Sequence, residues 1–216
     1  MLTTDKEIED YIINHIDREP DNLHQLYRRV NTELLYSRMC SGHLQGRLLK
    51  MLTRMIRPQR VLELGTYAGY SALCIAEGLA DDSCRVDTIE LEDELEDFIR
   101  RAFDESPCGS RIELHIGDAM QLLPTLLADN SYDMVYIDAN KRHYVEYYKL
   151  LIDSLPSGAF IVADNTLWDG KVADKETHLD AQTRGIMEFN DLVAADDRVE
   201  KVIIPLRDGL TLIRKK

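Results

Sequence analysis

With 216 residues, 44% of them hydrophobic, the chain carries enough apolar material for one globular domain with a full core. Its formal net charge of −13 argues against broad, sequence-independent binding to nucleic acid, which rests on Lys and Arg neutralising phosphates, although a local basic patch is compatible with that total. The four cysteines (Cys40, Cys74, Cys84, Cys108) are irregularly spaced with no Cys-x-x-Cys pair, which argues against a zinc or disulfide framework and reads as reduced thiols in a cytoplasmic protein.

Met1 to Pro20 carries acids throughout and lacks an apolar core segment, so it does not read as a signal peptide. The longest apolar runs, such as Phe160-Ile161-Val162-Ala163, are strand-sized and far short of the ~20 residues a membrane span needs, so a soluble protein is expected. Up to Arg57 the apolar spacing predicts helices, with stripes at Ile8/Tyr11/Ile12/His15, Leu23/Leu26/Tyr27/Val30 and Leu44/Leu48/Leu49/Leu52/Met55. After Pro58 short apolar strands alternate with amphipathic helices. The expected strands are Arg60–Leu64, Arg85–Ile89, Arg111–Ile116, Tyr132–Ile137 and Gly158–Ala163. Helices are expected near Tyr70–Leu79, Glu92–Phe103, Met120–Leu127 and Tyr144–Leu155. This alternation implies right-handed crossovers and a parallel sheet. A helix near Thr183–Ala194 precedes strands Val199–Ile204 and Leu210–Arg214, with Asp208-Gly209 as the turn of an antiparallel hairpin. The prediction is a single α/β domain over 1–216: a Rossmann-like, seven-stranded, mostly parallel sheet with helices on both faces. No linker or repeat marks a boundary within it.

In such sheets ligands bind at the carboxyl ends of the strands, near the switch in strand order. The first strand ends in Glu63-Leu64-Gly65-Thr66-Tyr67-Ala68-Gly69-Tyr70-Ser71. Gly65 allows a tight turn, and Gly69 allows the next helix to start close to a ligand. This is Glu-x-Gly-x-x-x-Gly, neither the Gly-x-Gly-x-x-Gly of a dinucleotide site nor a Walker loop. A nucleoside cofactor without a pyrophosphate fits better, S-adenosylmethionine (SAM) being the commonest on this architecture. Glu90, ending the second strand, suits both ribose hydroxyls, and Gly117-Asp118-Ala119, ending the third, suits an adenine edge. Either acid alone also fits a helix N-terminus.

The fourth strand ends in Ile137-Asp138-Ala139-Asn140-Lys141 and the fifth in Ala163-Asp164-Asn165. Adjacent parallel strands would bring Asp138, Asp164 and Asn165 together as a hard-oxygen site for Mg²⁺, Mn²⁺ or Ca²⁺. The plainer alternative is that Asp164 caps the next segment and Asp138 pairs with Lys141. A lysine beside a cation holds its proton less tightly, which suits Lys141 to act as general base on a hydroxyl.

On these residues the chain resembles the cation-dependent O-methyltransferases of the caffeoyl-CoA and catechol type, from about Arg38 to Arg214. The resemblance rests on Val61 through Ser71, Gly117-Asp118-Ala119, Tyr132-Asp133 through Lys141, Asp164-Asn165-Thr166-Leu167-Trp168-Asp169-Gly170-Lys171-Val172, Phe189-Asn190 and Asp208-Gly209-Leu210. It implies a homodimeric Rossmann-like enzyme using SAM and a divalent metal. It also implies that the helical extension 1–57 packs over the cofactor and dimer side. Asp138, Asp164 and Asn165 would hold the metal. Glu63, Gly65, Thr66, Ser71, Glu90 and Ala119 would fall on SAM, with Asp118, Asp138 and Ser41 close by. Lys141 aligns with the catalytic lysine, and Tyr147 lies on the acceptor side. Trp168 and Asn190 complete the substrate positions, Trp168 either walling an aromatic ring or anchoring its loop. Two departures stand out: Asn140 replaces an acid of the usual Asp-Ala-Asp-Lys, and His143-Tyr144 replaces Asn-Tyr.

The expected acceptor is a small hydroxylated aromatic molecule with a vicinal diol. Two alternatives remain. A related branch methylates a hydroxylated uridine in tRNA, for which Arg28-Arg29, Arg38, Arg47 and Arg54 are the basic residues available. A SAM-binding protein without catalysis is the other, and retention of Lys141 and the metal ligands speaks against it.

Overall fold

The apolar pattern resolves into fifteen regular elements in the computed structural model, which describes residues 6–174 and 180–216. The reading of Met1 to Pro20 therefore begins on residues outside those described. Helices α1 (Lys6–His15), α2 (Asp21–Glu33) and α3 (Gly42–Ile56) come first. They are followed by β1 (Arg60–Leu64), α4 (Tyr70–Gly78), β2 (Arg85–Glu90), α5 (Glu96–Asp104), β3 (Ile112–Ile116) and α6 (Ala119–Asp129). The chain continues through β4 (Met134–Ile137), α7 (Tyr144–Ser154), β5 (Phe160–Asp164), α8 (Ala181–Ala195), β6 (Val199–Ile204) and β7 (Leu210–Lys215). No helix among the described residues is long and apolar enough to cross a membrane.

The strands form one seven-stranded sheet in the order β3-β2-β1-β4-β5-β7-β6. β2 runs parallel to β3, and β4 runs parallel to β1 and β5, while β7 is antiparallel to both β5 and β6. The predicted mostly parallel sheet with an antiparallel terminal hairpin is what forms. Strand order reverses between β1 and β4, which is where this architecture opens a crevice. Val61–Leu64 and all of β4 are buried, as expected of central parallel strands covered on both faces.

By contact density the chain divides into two compact units. Of the described residues, one comprises Val61–Gly65 with those from Asp118 onward, and the other comprises Lys6–Arg60 with Thr66–Gly117. In the first, Asp118 caps α6 by accepting the Met120 N–H, and Asp180 caps α8 by accepting from Gln182 and Thr183. Pro156-Ser157-Gly158 turns the chain ahead of β5, with Gly158 at φ +91°, so that strand begins at Phe160 rather than at Gly158. In the second unit α4 is buried along nearly its whole length, and α2 buries Leu23, Leu26 and Val30.

The first and third helical stripes behave differently from the second. No residue of α1 is buried, and Ile8 and Tyr11 are exposed. Helix α3 turns Gln45, Gly46, Arg47, Leu49 and Thr53 inward, leaving Met51 and Met55 exposed. The inward polar groups are answered locally. Arg47 Nη2 lies 2.7 Å from Glu77 Oε2, with Lys50 Nζ 2.5 Å from the other oxygen, and Thr53 Oγ1 donates to Leu49 O. An arginine so paired can be buried where a lone one cannot.

Candidate active site

The register of β4 on β5 pairs Ile137 with Ala163, so the next residue of each strand, Asp138 and Asp164, emerges at neighbouring strand ends. Asp138 continues the ladder toward β1 through its N–H to Leu64 O at 2.8 Å. The side chain of Asp138 is partly exposed, whereas Asp164 is buried. Lys141, in the short helical turn Lys141–His143, places Nζ 2.6 Å from Asp138 Oδ1. Asp164 Oδ1 accepts the Asn165 N–H at 2.8 Å, and Asp164 Oδ2 accepts the Tyr136 hydroxyl at 2.8 Å. Of the plainer reading, the Asp138–Lys141 pair exists. The short helical turn Trp168–Ala173, by contrast, has Leu167 at its N-cap with no side-chain hydrogen bond, so Asp164 bonds its neighbour's N–H without capping that turn. These contacts still leave the acids available, two carboxylates and an adjacent amide at one end of the sheet, a donor set of hard oxygens.

Tyr136 and Tyr144 flank both acids and were missed by sequence reading, since each reads as an ordinary core aromatic. Burial, then the charges of Asp164 and Asp138, pushes the Tyr136 hydroxyl far above its usual pKa. Burial and the same two acids do so for Tyr144. Tyr144 Oη lies 3.2 Å from Ile137 O and 3.1 Å from Asp164 O, clasping the ends of β4 and β5.

Past Asp164 the chain runs through Asn165 at φ +58°, then Trp168 and Asp169 at φ +46° and +55°. Left-handed backbone at non-glycine residues costs of order 1–3 kcal/mol each and persists only where neighbours enforce it. Here the Asp208-Gly209 turn enforces it: Thr166 N–H donates to Gly209 O and Leu167 N–H to Asp208 O. Thr211 Oγ1 donates to Thr166 Oγ1 at 2.8 Å, and Asn190 Nδ2 donates to Thr166 O at 2.8 Å. Asn190 thus anchors this loop. Trp168 lies beneath the Lys171 ammonium, 5.9 Å from its ring centre. Tyr147 is buried against Tyr144 and His143, and burial, then the acids Asp118 and Glu146, pushes its hydroxyl up to about 12. Asn140 is exposed and accepts the Arg142 N–H at 3.2 Å, capping the turn that carries Lys141.

The expected cofactor residues fall in both units. In the first, Glu63 is buried on β1, Ala119 is buried at the start of α6, and Asp118 is its cap. Gly65 has φ +97°, and a Cβ there would stand 2.3 Å from Asp138 O, so no other residue fits. In the second, the buried Glu90 carboxylate accepts Tyr67 N–H at 2.6 Å and Glu92 N–H at 2.9 Å, one on each oxygen. Thr66 Oγ1 meets Thr88 Oγ1 at 2.6 Å, Ser71 is buried in the first turn of α4, and Ser41 is buried ahead of α3. Gly69 is required by the Phe103 ring, 2.6 Å from where its Cβ would be, as well as by its φ of +81°.

A second cluster, Asp87, Glu113 and His115, brings three potential ligand atoms within 4.8 Å of one another. Arg60 already engages both Asp87 oxygens, at 2.5 and 3.0 Å, and His115 Nε2 lies 3.1 Å from Oδ1, so this is an ion-pair network centred on Asp87. Of the arginines relevant to RNA, Arg47 is buried on Glu77 and Arg29 pairs with Glu105 at 2.8 Å. All four cysteines are buried, and none forms a disulfide.

A family model described as O-methyltransferase matches residues 14–216. A caffeoyl-CoA O-methyltransferase from Petroselinum crispum is 33% identical over 210 residues, 92% of this chain and 85% of that protein. The O-methyltransferase TomG from Streptomyces achromogenes, involved in tomaymycin synthesis and solved with SAM, is 29% identical and superposes with a TM-score of 0.88 over 97% of this chain and 96% of its own. The SAH-bound methyltransferase PaMTH1 from Podospora anserina is 28% identical, with a TM-score of 0.89 over 100% of this chain and 98% of its own. With its sheet order, its strand-end acids and these likenesses in agreement, the chain belongs to the O-methyltransferase family that includes the caffeoyl-CoA O-methyltransferases.

Proposed function

We propose that the chain is a SAM-dependent O-methyltransferase that requires a divalent cation and methylates one hydroxyl of a small catechol-like or caffeoyl-type acceptor. The observation that carries this reading is the meeting of Asp138 and Asp164 at adjacent strand ends, with Asn165 next in the chain and Lys141 Nζ 2.6 Å from Asp138 Oδ1. Two carboxylates and an amide oxygen suit Mg²⁺, Mn²⁺ or Ca²⁺, and three protein ligands leave positions for both oxygens of a vicinal diol. When bound, the cation lowers the pKa of a chelated hydroxyl. Lys141 Nζ takes that hydroxyl proton as the oxygen bonds to the sulfonium methyl carbon and the carbon–sulfur bond breaks. Glu63, Gly65, Thr66, Ser71, Glu90 and Ala119, together with Ser41, Asp118 and Asp138, are the residues this reading assigns to the cofactor. Each Glu90 oxygen, bonded to one backbone N–H, keeps a second lone pair for a ribose hydroxyl. Tyr147, Trp168 and Asn190 form the acceptor side, and holding both reactants at attack distance supplies much of the acceleration. The exposed Ile8, Tyr11, Met51 and Met55 support a homodimer that covers them.

The test is SAM turnover with a catechol acceptor, with and without EDTA, beside Asp164→Ala. Methylation that needs the cation and collapses in Asp164→Ala is expected. Absence of turnover with calorimetric SAM binding intact would overturn the catechol assignment and direct the assay to hydroxylated tRNA.

A further inference from the structure

Helix α8 carries a buried glycine, Gly185, in its second turn. Glycine inside a helix is less favourable than alanine, and Gly185 has no left-handed backbone to require it. The neighbouring chain requires it instead. A Cβ at Gly185 would stand 2.4 Å from the carbonyl oxygen of Lys141, 3.2 Å from its carbonyl carbon and 3.1 Å from Arg142 Cα. The backbone of α8 therefore lies directly on the Lys141–His143 turn, within one compact unit. Farther along the same helix, Phe189 sets its ring edge-on to Tyr144, 5.4 Å between centres. The Tyr144 hydroxyl clasps Ile137 O and Asp164 O, and the Lys141 ammonium lies 5.6 Å from the centre of the Tyr144 ring. Asn190, the next residue of α8, donates to Thr166 O in the loop after Asp164. One helix thus braces the turn that bears the lysine, the ring beside its ammonium and the loop that follows the acid.

We infer that Gly185 is a positioning residue: by letting α8 seat directly on the Lys141–His143 turn, it fixes where Lys141 Nζ stands. The inference rests on the proposed role of Lys141 as general base. Ordinary contact for a side-chain carbon begins at 3.4 Å, so a Cβ at 2.4 Å forces about 1 Å of movement, which a close-packed interior passes on rather than absorbs. The turn is the side that yields. Helix α8 is held by buried Thr183, Ile186, Phe189 and Val193. The turn has three residues, buries none of them, and is fastened by the Asn140 cap and the His143 N–H to Asn140 O. A general base displaced with it loses its alignment with the proton it takes, and misplacement by about 1 Å can cost roughly 10²-fold in rate.

The experiment is a double-mutant cycle between Gly185→Ala and Lys141→Met in the full chain, reading kcat, acceptor KM, SAM affinity, Mn²⁺ affinity and metal-free Tm. Gly185→Ala should lower kcat by roughly 10–100-fold, while acceptor KM and SAM affinity hold. Mn²⁺ should bind at least as tightly as before, because the ammonium has moved from Asp138. A crystal structure of Gly185→Ala should show that movement directly, as a Lys141 Nζ to Asp138 Oδ1 separation longer than 2.6 Å. In the Lys141→Met background the same glycine substitution should cost almost nothing, since a brace acts through a side chain only where that side chain is present. Equal losses in both backgrounds, or an unchanged kcat, would reduce Gly185 to a packing residue and overturn the inference. Should Gly185→Ala fail to fold, Asp180→Ala decides. It removes the exposed cap of α8, which accepts the Gln182 and Thr183 N–H groups. Its kcat should fall severalfold with Lys141 present and not without it, and Asp180→Asn, which still caps the helix, should restore kcat. No such loss in Asp180→Ala overturns the inference. Lys141→Met with wild-type kcat would bring down the proposed base itself, a result distinct from equal losses within the cycle.

Discussion

Lys141 Nζ stands 2.6 Å from Asp138 Oδ1, so the residue proposed to take a proton is also the counter-ion of a residue proposed to hold a cation. The two roles oppose each other, since an ammonium at that oxygen repels the ion. Lys141→Met should therefore lower kcat by roughly 10²–10⁴-fold, as loss of a general base does, while Mn²⁺ binds at least as tightly as before. Steady-state kinetics beside calorimetry checks both halves. Weaker Mn²⁺ binding in Lys141→Met would show that the lysine supports the site rather than competing within it.

Gly65→Ala should destabilise the chain through two independent effects. Its φ of +97° disfavours any side chain, and the new Cβ would stand 2.3 Å from the Asp138 carbonyl. A cost of roughly 1–3 kcal/mol is expected for such strain, with Tm falling about 2–4 °C for each kcal/mol at this chain size. Calorimetric melting measures it, and an unchanged Tm would mean that the loop relaxes freely.

Asn190→Ala separates a substrate contact from a structural one. The amide donates to Thr166 O at 2.8 Å and so holds the loop that begins with Asn165. Loss of this partly buried hydrogen bond should cost roughly 1–2 kcal/mol of stability and weaken Mn²⁺ binding severalfold. A rise in acceptor KM with stability and Mn²⁺ affinity unchanged would return Asn190 to the substrate.

Much of this site was legible in the chain. β1 and β6 run over the expected residues, and parallel pairing brings Asp138 beside Asp164 as their places at strand ends foretell. Lys141 at three residues from Asp138 makes the contact its spacing allows. Helix α3 was less legible. Its leucine stripe predicts an apolar inner face, yet the ion group of Arg47, Glu77 and Lys50 draws the polar side inward, and the Glu77 partner is 30 residues away in sequence. Tyr136 was unreadable for a related reason: its hydroxyl partner is 28 residues on, and alternation along a strand assigns a face without saying what that face meets.

Stability should also fall in acid through Asp196. The Arg198 guanidinium bonded to it outweighs the opposing effect of burial, and with the Tyr148 hydroxyl it holds this carboxyl well below its ordinary value of 3.8. A carboxyl lowered on folding contributes stability that is complete above the unfolded pKa and is lost as pH falls toward the folded one. Asp196→Asn should therefore be less stable than wild type by about 1 kcal/mol at pH 7, given the exposed partner. The gap should close as pH drops below about 4. Urea unfolding at pH 7 and pH 2 measures this, and a gap undiminished at pH 2 would assign the loss to packing.

The Asp208-Gly209 turn holds the loop after β5 through the Thr166 and Leu167 amides, and Thr211 fastens it again. These anchors lie more than forty residues downstream of Asn165. During synthesis, then, the acids and the lysine are all made well before the segment that gives their loop its shape. A nascent chain that stops short of Asp208 carries every proposed ligand in its sequence yet lacks the turn that shapes the loop after β5, so the loop takes its form with the last strand rather than with the last of those residues.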